Sequence, residues 1–139
     1  MVKEESPQLL ARQGKKGARL VDNGDGTVTD KKAGLMWQKE DDGEERNLQE
    51  ALTYCKKLFL AGFKDWRLPT LAEFEGLEEA AEESDIDMPI RYPRNGYDYW
   101  TSTLPPPWSG FPKTVAYVAS GTTYYSTNKY YVRAVRDQK

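Results

Sequence analysis

The spacing of hydrophobic positions changes along the chain, and each change predicts an element. Residues 1–18 show no period and read as a polar, flexible arm, with Gly14 and Gly17 flanking Lys15 and Lys16. From Arg19 the pattern turns short and apolar: Leu20 and Val21, a polar run from Asp22 to Gly26, then Thr27 to Thr29. The Asn-Gly and Asp-Gly steps supply the positive φ angles of a tight hairpin, so this stretch predicts strand, turn, strand. Leu35, Met36 and Trp37 predict another short strand. The period then becomes helical. Leu48, Ala51, Leu52, Cys55, Leu58 and Phe59 recur at helical spacing and predict one buried face. Asn47 is the expected N-cap, Glu50 completes a capping box, and Gly62 is placed to stop the helix. Thr70 and Glu73 form a second capping box, with Leu71, Phe74 and Leu77 turned inward.

Beyond Arg91 the helical period is lost. Tyr97 to Ser102, Val115 to Ala119 and Tyr130 to Val135 read as short strands. Pro105 to Pro107 and Gly110 to Pro112 mark long loops between them. Arg133 and Arg136 differ in parity, so a regular strand would turn them to opposite sides. A hairpin and two helices followed by strands and loops predict an α+β fold of small antiparallel sheets with two flanking helices, not a parallel βαβ sheet. One domain over residues 19–139 accommodates all of these elements.

Composition narrows the chemistry. The chain has 139 residues, a net charge of -2, one cysteine and no histidine. No internal disulfide can form, and histidine-dependent triads, zinc sites and general bases are excluded. Cys55 lies on the buried helix face with no base to activate it, so it reads as a packed thiol. No Gly-rich phosphate motif is present, because Gly24 and Gly26 lack a third glycine and no GK[ST] follows. An enzyme is not expected. No apolar stretch reaches the roughly 18 residues of a membrane helix, and the first residues lack the apolar core of a signal peptide. A cytoplasmic location therefore stays open.

Two acidic stretches bear on metal binding. An EF-hand needs oxygen ligands at positions 1, 3 and 5 of its loop. From Asp22, positions 3 and 5 are Gly24 and Gly26, which favours a hairpin over calcium. The Glu40 to Glu45 loop is compatible with a structural calcium ion, but no motif calls for one. No cofactor is expected. Glu73 to Asp87 holds eight acids and no base, which reads as an exposed acidic helix face.

Several short motifs occur in order: DNGDGTVTD at 22–30, GLMW at 34–37, ALTYC at 51–55, the DWRLP run ending at Pro69, YWTS at 99–102 and YYVRAVR at 130–136. In this order they resemble the Lcl C-terminal domain family of bacterial collagen-like adhesins, over roughly residues 19–137. The resemblance implies a C-type-lectin-like fold in which the terminal strands come near each other and a loop-rich face holds the ligand. It implies an extracellular or cell-surface module, and attachment to sulfated polysaccharides. The fold it implies is shared by formylglycine-generating enzymes, which need paired cysteines that this chain lacks. It is also shared by the variable proteins of diversity-generating retroelements. Trp37, Trp66 and Trp100 read as core aromatics, and Arg67 as a residue that holds a loop or a carboxylate. The Glu-Pro-Asn, Gln-Pro-Asp and Trp-Asn-Asp tripeptides of calcium-dependent sugar-binding C-type lectins do not occur here.

The back half supplies the candidate binding residues. Cationic Arg91, Arg94, Lys113 and Lys129 interleave with Tyr92, Tyr97, Trp108, Phe111, Tyr124, Tyr125 and Tyr130, alongside Asn95 and Asn128. Cations meet sulfate or carboxylate, and aromatic faces stack on sugar rings, so an anionic glycan is the first expectation. The run from Ser120 to Tyr131 is rich in Tyr, Ser, Gly, Thr and Asn, which makes a protein-recognition surface, diversified by a retroelement, the alternative. Nucleic acid ranks last, since the acidic helices would repel a phosphate backbone. A homo-oligomer is compatible with the sequence.

Overall fold

The structure, a computed structural model, describes residues 18–89, 98–112 and 114–138. The expected arm therefore lies outside the described residues except for Ala18. So do Arg91, Tyr92, Arg94, Asn95, Tyr97 and Lys113.

Strands β1 (Leu20–Asp22), β2 (Thr27–Asp30) and β3 (Leu35–Gln38) come first. Helices α1 (Leu48–Lys57) and α2 (Leu71–Glu82) follow, and then β4 (Val115–Tyr117), β5 (Thr123–Tyr125) and β6 (Val135–Asp137). The fold is α+β with antiparallel sheets and two helices. A four-stranded sheet has the order β1-β2-β3-β6, and β4 and β5 form a separate hairpin. The first and last strands share one sheet but occupy its opposite edges, since β6 pairs with β3 (Met36 opposite Arg136).

Local chemistry explains the first hairpin. Gly24 and Gly26 adopt φ of 77° and 90°, and the Asn23 amide donates to Thr27 O over 3.0 Å. Asp22 accepts from the Gly24 amide, and Asp25 accepts from both the amide and the hydroxyl of Thr27. Those carboxylates serve the turn.

Side chains alternate across a strand, so neighbours on β3 enter different cores. Trp37 and Leu35 join Leu20, Val28 and Val135 beneath α2, whose Phe74 and Leu77 are buried. Trp37 meets Phe74 edge-on at 5.9 Å. Met36 and Ala134 point the other way, to Ala51 and Cys55 of α1 and to Trp66 and Trp100. The two helices thus cover opposite faces of the sheet. Trp37, Trp66 and Trp100 are core residues, as expected. Both capping boxes form, with Asn47 and Glu50 and with Thr70 and Glu73 exchanging bonds to each other's backbone. Arg67 grips Glu73 through two bonds and reaches Asp137 at 2.9 Å.

Other expectations need correction. α1 ends at Lys57, because Leu58 turns extended. Gly62 is not its stop. Ala61 and Gly62, at φ 56° and 85°, form a two-residue turn whose flanks, Leu60 and Phe63, exchange both backbone hydrogen bonds. Positive φ at both central positions is the signature of a tight hairpin turn. Leu52 and Phe59 are not on the buried face: they are 44% and 64% exposed. Leu71 is half-buried, so α2 turns Phe74, Leu77 and Ala80 inward instead. The strand expected at Tyr97 to Ser102 reduces to single bridges, Tyr99 with Tyr131 and Trp100 with Val118. β5 interrupts the stretch from Ser120 to Tyr131.

Candidate functional site

The segment after Trp100 is tied down at its start and then projects. Ser102 donates to Pro69 O over 2.8 Å, and Thr103 Oγ1 accepts from the Leu71 amide, so α2's first turn anchors the loop. Pro105, Pro106 and Pro107 follow. Each fixes its own φ, which limits the loop's freedom before any ligand arrives. A short 3-10 turn at Pro107–Ser109 and a left-handed Gly110 at φ 84° complete it. Trp108 stands on this turn, 85% exposed.

The β4–β5 hairpin lies beyond the loop. Its turn is held by Asp98, whose carboxylate accepts from the Ser120 hydroxyl at 2.7 Å, the Ser120 amide and the Tyr99 amide. Burial pushes the Asp98 carboxyl above the ordinary aspartate value, against the pull of those donors. Phe111, Pro112, Val115, Thr123, Tyr124 and Tyr125 enclose a cleft of about 240 Å³. Among the described residues no charged side chain lines it. Leu104, Trp108, Phe111 and Tyr125, four of the six exposed large hydrophobic residues described, fall between positions 104 and 125. These four fall on the loop after Trp100 and on the hairpin that follows it.

The remaining expected residues divide. Tyr124 and Tyr130 pack with tilted rings at 4.9 Å, and Tyr130 also meets Trp100 edge-on at 5.3 Å, so both pack against the core while Tyr124 keeps one side on the cleft. Burial raises the Tyr130 hydroxyl above the ordinary tyrosine value. Asn128 and Lys129 are exposed in the turn after β5 and do not line the cleft. Arg133 and Arg136, as their parity implied, go to separate sites, and both are committed to the fold. Arg133 is fully buried and donates to the carbonyls of Gln38, Lys39 and Pro89. Arg136 clamps Asp65 and lies over the Phe63 ring at 3.6 Å.

Sequence reasoning missed a second feature. A groove of about 480 Å³ runs along the outer side of α1, lined by Arg46, Thr53, Tyr54, Lys57 and Phe59 among others. Arg46 lies over the Tyr54 ring at 4.1 Å and pairs with Asp42 at 2.7 Å. The signal was Phe59, a large apolar residue whose helical spacing mimicked burial.

The acidic loop from Glu40 to Glu45 directs its aspartates to protein donors. Asp41 accepts from the Tyr99 hydroxyl and the Gly43 amide, and Asp42 accepts from Arg46 and the Glu44 amide. Among the described residues no group of three or more His, Cys, Asp or Glu side chains could hold a metal. Burial pushes the Cys55 thiol up to about 12.

The Lcl C-terminal domain model matches residues 26–136, from the turn before β2 to the middle of β6. The chain belongs to the Lcl C-terminal domain family. No curated protein matches the chain. The Lcl C-terminal domain match takes in every described candidate residue, the loop at Trp108 and both helices, and it leaves β1 outside. Membership points to a module that recognises a ligand or a protein. Among the described residues no helix is long and apolar enough to cross a membrane.

Proposed function

We propose that this chain is a non-catalytic recognition domain of C-type-lectin-like architecture, spanning residues 19–139 and acting outside the cell or at its surface, and that its ligand is an anionic glycan. One observation carries the reading: Trp108, 85% exposed, stands on a proline-restricted loop next in sequence to the aromatic cleft of Phe111, Tyr124 and Tyr125. Flat aromatic faces held in advance stack on sugar rings without an ordering cost. Lys129 supplies positive charge from the following turn, and Lys113 adjoins Pro112 of the cleft in sequence. A non-catalytic role is supported by the lack of histidine and by a single thiol that is buried and held protonated. The ligand is bound without calcium.

The second reading is a protein partner, with or without retroelement diversification. It is favoured by exposed Tyr125, Thr127 and Asn128 on one hairpin and its turn, a paratope-like set.

The test is binding to dextran sulfate and to neutral dextran, at low and raised salt, with calcium and with chelator. Salt-sensitive binding to the sulfated polymer alone, unchanged by chelator and lost in Trp108→Ala/Tyr125→Ala, supports the proposal. Absence of binding to both polymers by a folded protein overturns it in favour of the protein partner.

A further inference from the structure

The outward surfaces of the two helices carry opposite charge. α1 and α2 cover opposite faces of the four-stranded sheet, so these surfaces point in opposite directions from one domain. Lys56 and Lys57 are exposed on α1, and Lys64 extends the set by lying over the Phe59 ring at 5.5 Å. Lys57 and exposed Phe59 line one end of the 480 Å³ groove, and Leu52 is exposed on the same helix. Glu50, at the other end of the groove, accepts from the Asn47 amide of its own helix and keeps its charge, so the positive cluster is confined to the Phe59 end.

α2 presents the complement. Ala72, Glu75, Glu79 and Glu82 are exposed and recur at helical spacing on one stripe. Its last turn holds no basic residue, so the helix dipole adds to the negative field there. Arg67 neutralises Glu73, and Arg19 lies close enough to feel Glu79 and Glu83. Glu75 and Glu82 crowd Glu78. Cations from outside the domain would relieve this crowding. The small side chain of Ala72 leaves room on the same stripe for a bulky apolar group.

We propose that the Phe59 end of α1, with Lys56, Lys57 and Lys64, docks the α2 surface of a second copy of this chain, the lysines facing Glu75, Glu79 and Glu82 and Phe59 packed over the Ala72 end of the stripe. The contact is heterologous, because each copy offers a different patch on each side. Copies therefore add head to tail, and the assembly does not close as a two-fold dimer. Because the charges are solvent-exposed, salt weakens the contact.

Sedimentation velocity of the full chain over a range of concentrations, at low and raised salt, tests this. Two exposed triple variants accompany it, K56E/K57E/K64E and E75K/E79K/E82K, each checked for native circular dichroism. The wild type is expected to sediment faster as concentration rises at low salt, and to revert at raised salt. Each variant alone is expected to associate about tenfold more weakly or worse, because its two faces now repel. An equimolar mixture of the variants is expected to regain association, because the swapped charges match. A monomeric wild type up to millimolar concentration overturns the proposal and leaves the groove to a different partner. Association of wild-type strength in either variant alone, or its failure to return in the mixture, overturns it too. Trp108 and the hairpin cleft take no part, so these results are independent of glycan binding.

Discussion

The hydroxyl of Tyr99 donates to Oδ2 of Asp41 over 2.5 Å, joining residues 58 positions apart in sequence. Arg133 completes the arrangement. Its guanidinium lies 3.8 Å from the same carboxylate and donates to the Tyr99 oxygen at 3.3 Å. With the carbonyls of Gln38, Lys39 and Pro89 on the same cation, one buried charge ties together the end of β3, the acidic loop and the chain beyond α2. Removing the cation would take a donor from three carbonyls and a counter-charge from the Asp41 carboxylate. Arg133→Leu is therefore expected to cost about 3–5 kcal/mol. Tyr99→Phe, which removes one hydroxyl, is expected to cost about 1–3 kcal/mol. Urea denaturation midpoints at unchanged slope would measure both, and a loss below about 1 kcal/mol for Arg133→Leu would show that the network is not a structural hub.

The Ala61–Gly62 turn yields a prediction of opposite sign. Ala61 holds φ at 56°, where a Cβ is disfavoured by about 1–2 kcal/mol and asparagine is tolerated better. Ala61→Asn should raise stability by roughly 0.5–1 kcal/mol, seen as a higher thermal midpoint. An unchanged or lower midpoint would mean the turn is not strained at this position.

These two sites also show what could be read from the sequence. Both capping boxes were legible, because an N-cap and its partner three residues on are a local code, and the glycine turn before β2 was legible for the same reason. The six motifs in order named the family. α1's end was not legible. Leu58 and Phe59 continue the helical spacing, and only the tertiary path shows that the chain has already turned extended. The role of Arg133 was hidden as well, since its acceptors are backbone carbonyls up to 95 residues away. Of the candidate site, Trp108, Phe111 and Tyr125 were named from composition and are exposed in the structure. Half-buried Tyr124 and Tyr130 were not separable from them, because composition cannot tell a ring packed on the core from an open one.

Acid stability should depend on two glutamates of α2 in opposite ways. Arg67, with burial opposing it, holds the Glu73 carboxyl below the ordinary glutamate value. A depressed folded value stabilises the protein above the unfolded value of about 4.3, and that contribution is lost as pH falls through the folded value. Glu73→Gln should cost about 1 kcal/mol at neutral pH, screened by solvent, and little in acid. Glu78 is raised, first by burial and then by Glu75, Asp98 and Glu82. Its contribution is complete below the unfolded value and disappears as pH rises through the folded one. Glu78→Gln should therefore gain about 0.5 kcal/mol at neutral pH, after discounting for solvent, and nothing near pH 3. Denaturation midpoints across that range would decide, and equal effects of both variants at every pH would refute the assignment.

Cys55 should report opening of the α1 core. With its side chain 2% exposed and its thiol pushed up to about 12, it is neither accessible nor ionised in the native state. An aromatic disulfide reagent should label it only as fast as the domain opens, and at once in denaturant. Rapid labelling of the native protein would place the thiol at the surface and remove α1 from the core.

Tryptophan fluorescence can isolate the proposed ligand face, because the four tryptophans differ sharply. Trp37, Trp66 and Trp100 are 0%, 4% and 0% exposed, and Trp108 is 85% exposed. Iodide should quench one component of the emission and leave the rest. Trp108→Phe should remove that component and shift stability by no more than about 0.5 kcal/mol, since the side chain packs against little. If the loop carries the ligand, saturating dextran sulfate should shield the same component in the wild type, and neutral dextran should not. Binding that leaves iodide quenching intact would move the ligand away from Trp108 while leaving the fold unchallenged. Quenching that survives Trp108→Phe would instead mean that one of the three core tryptophans is accessible, which would contradict the packing of the sheet itself.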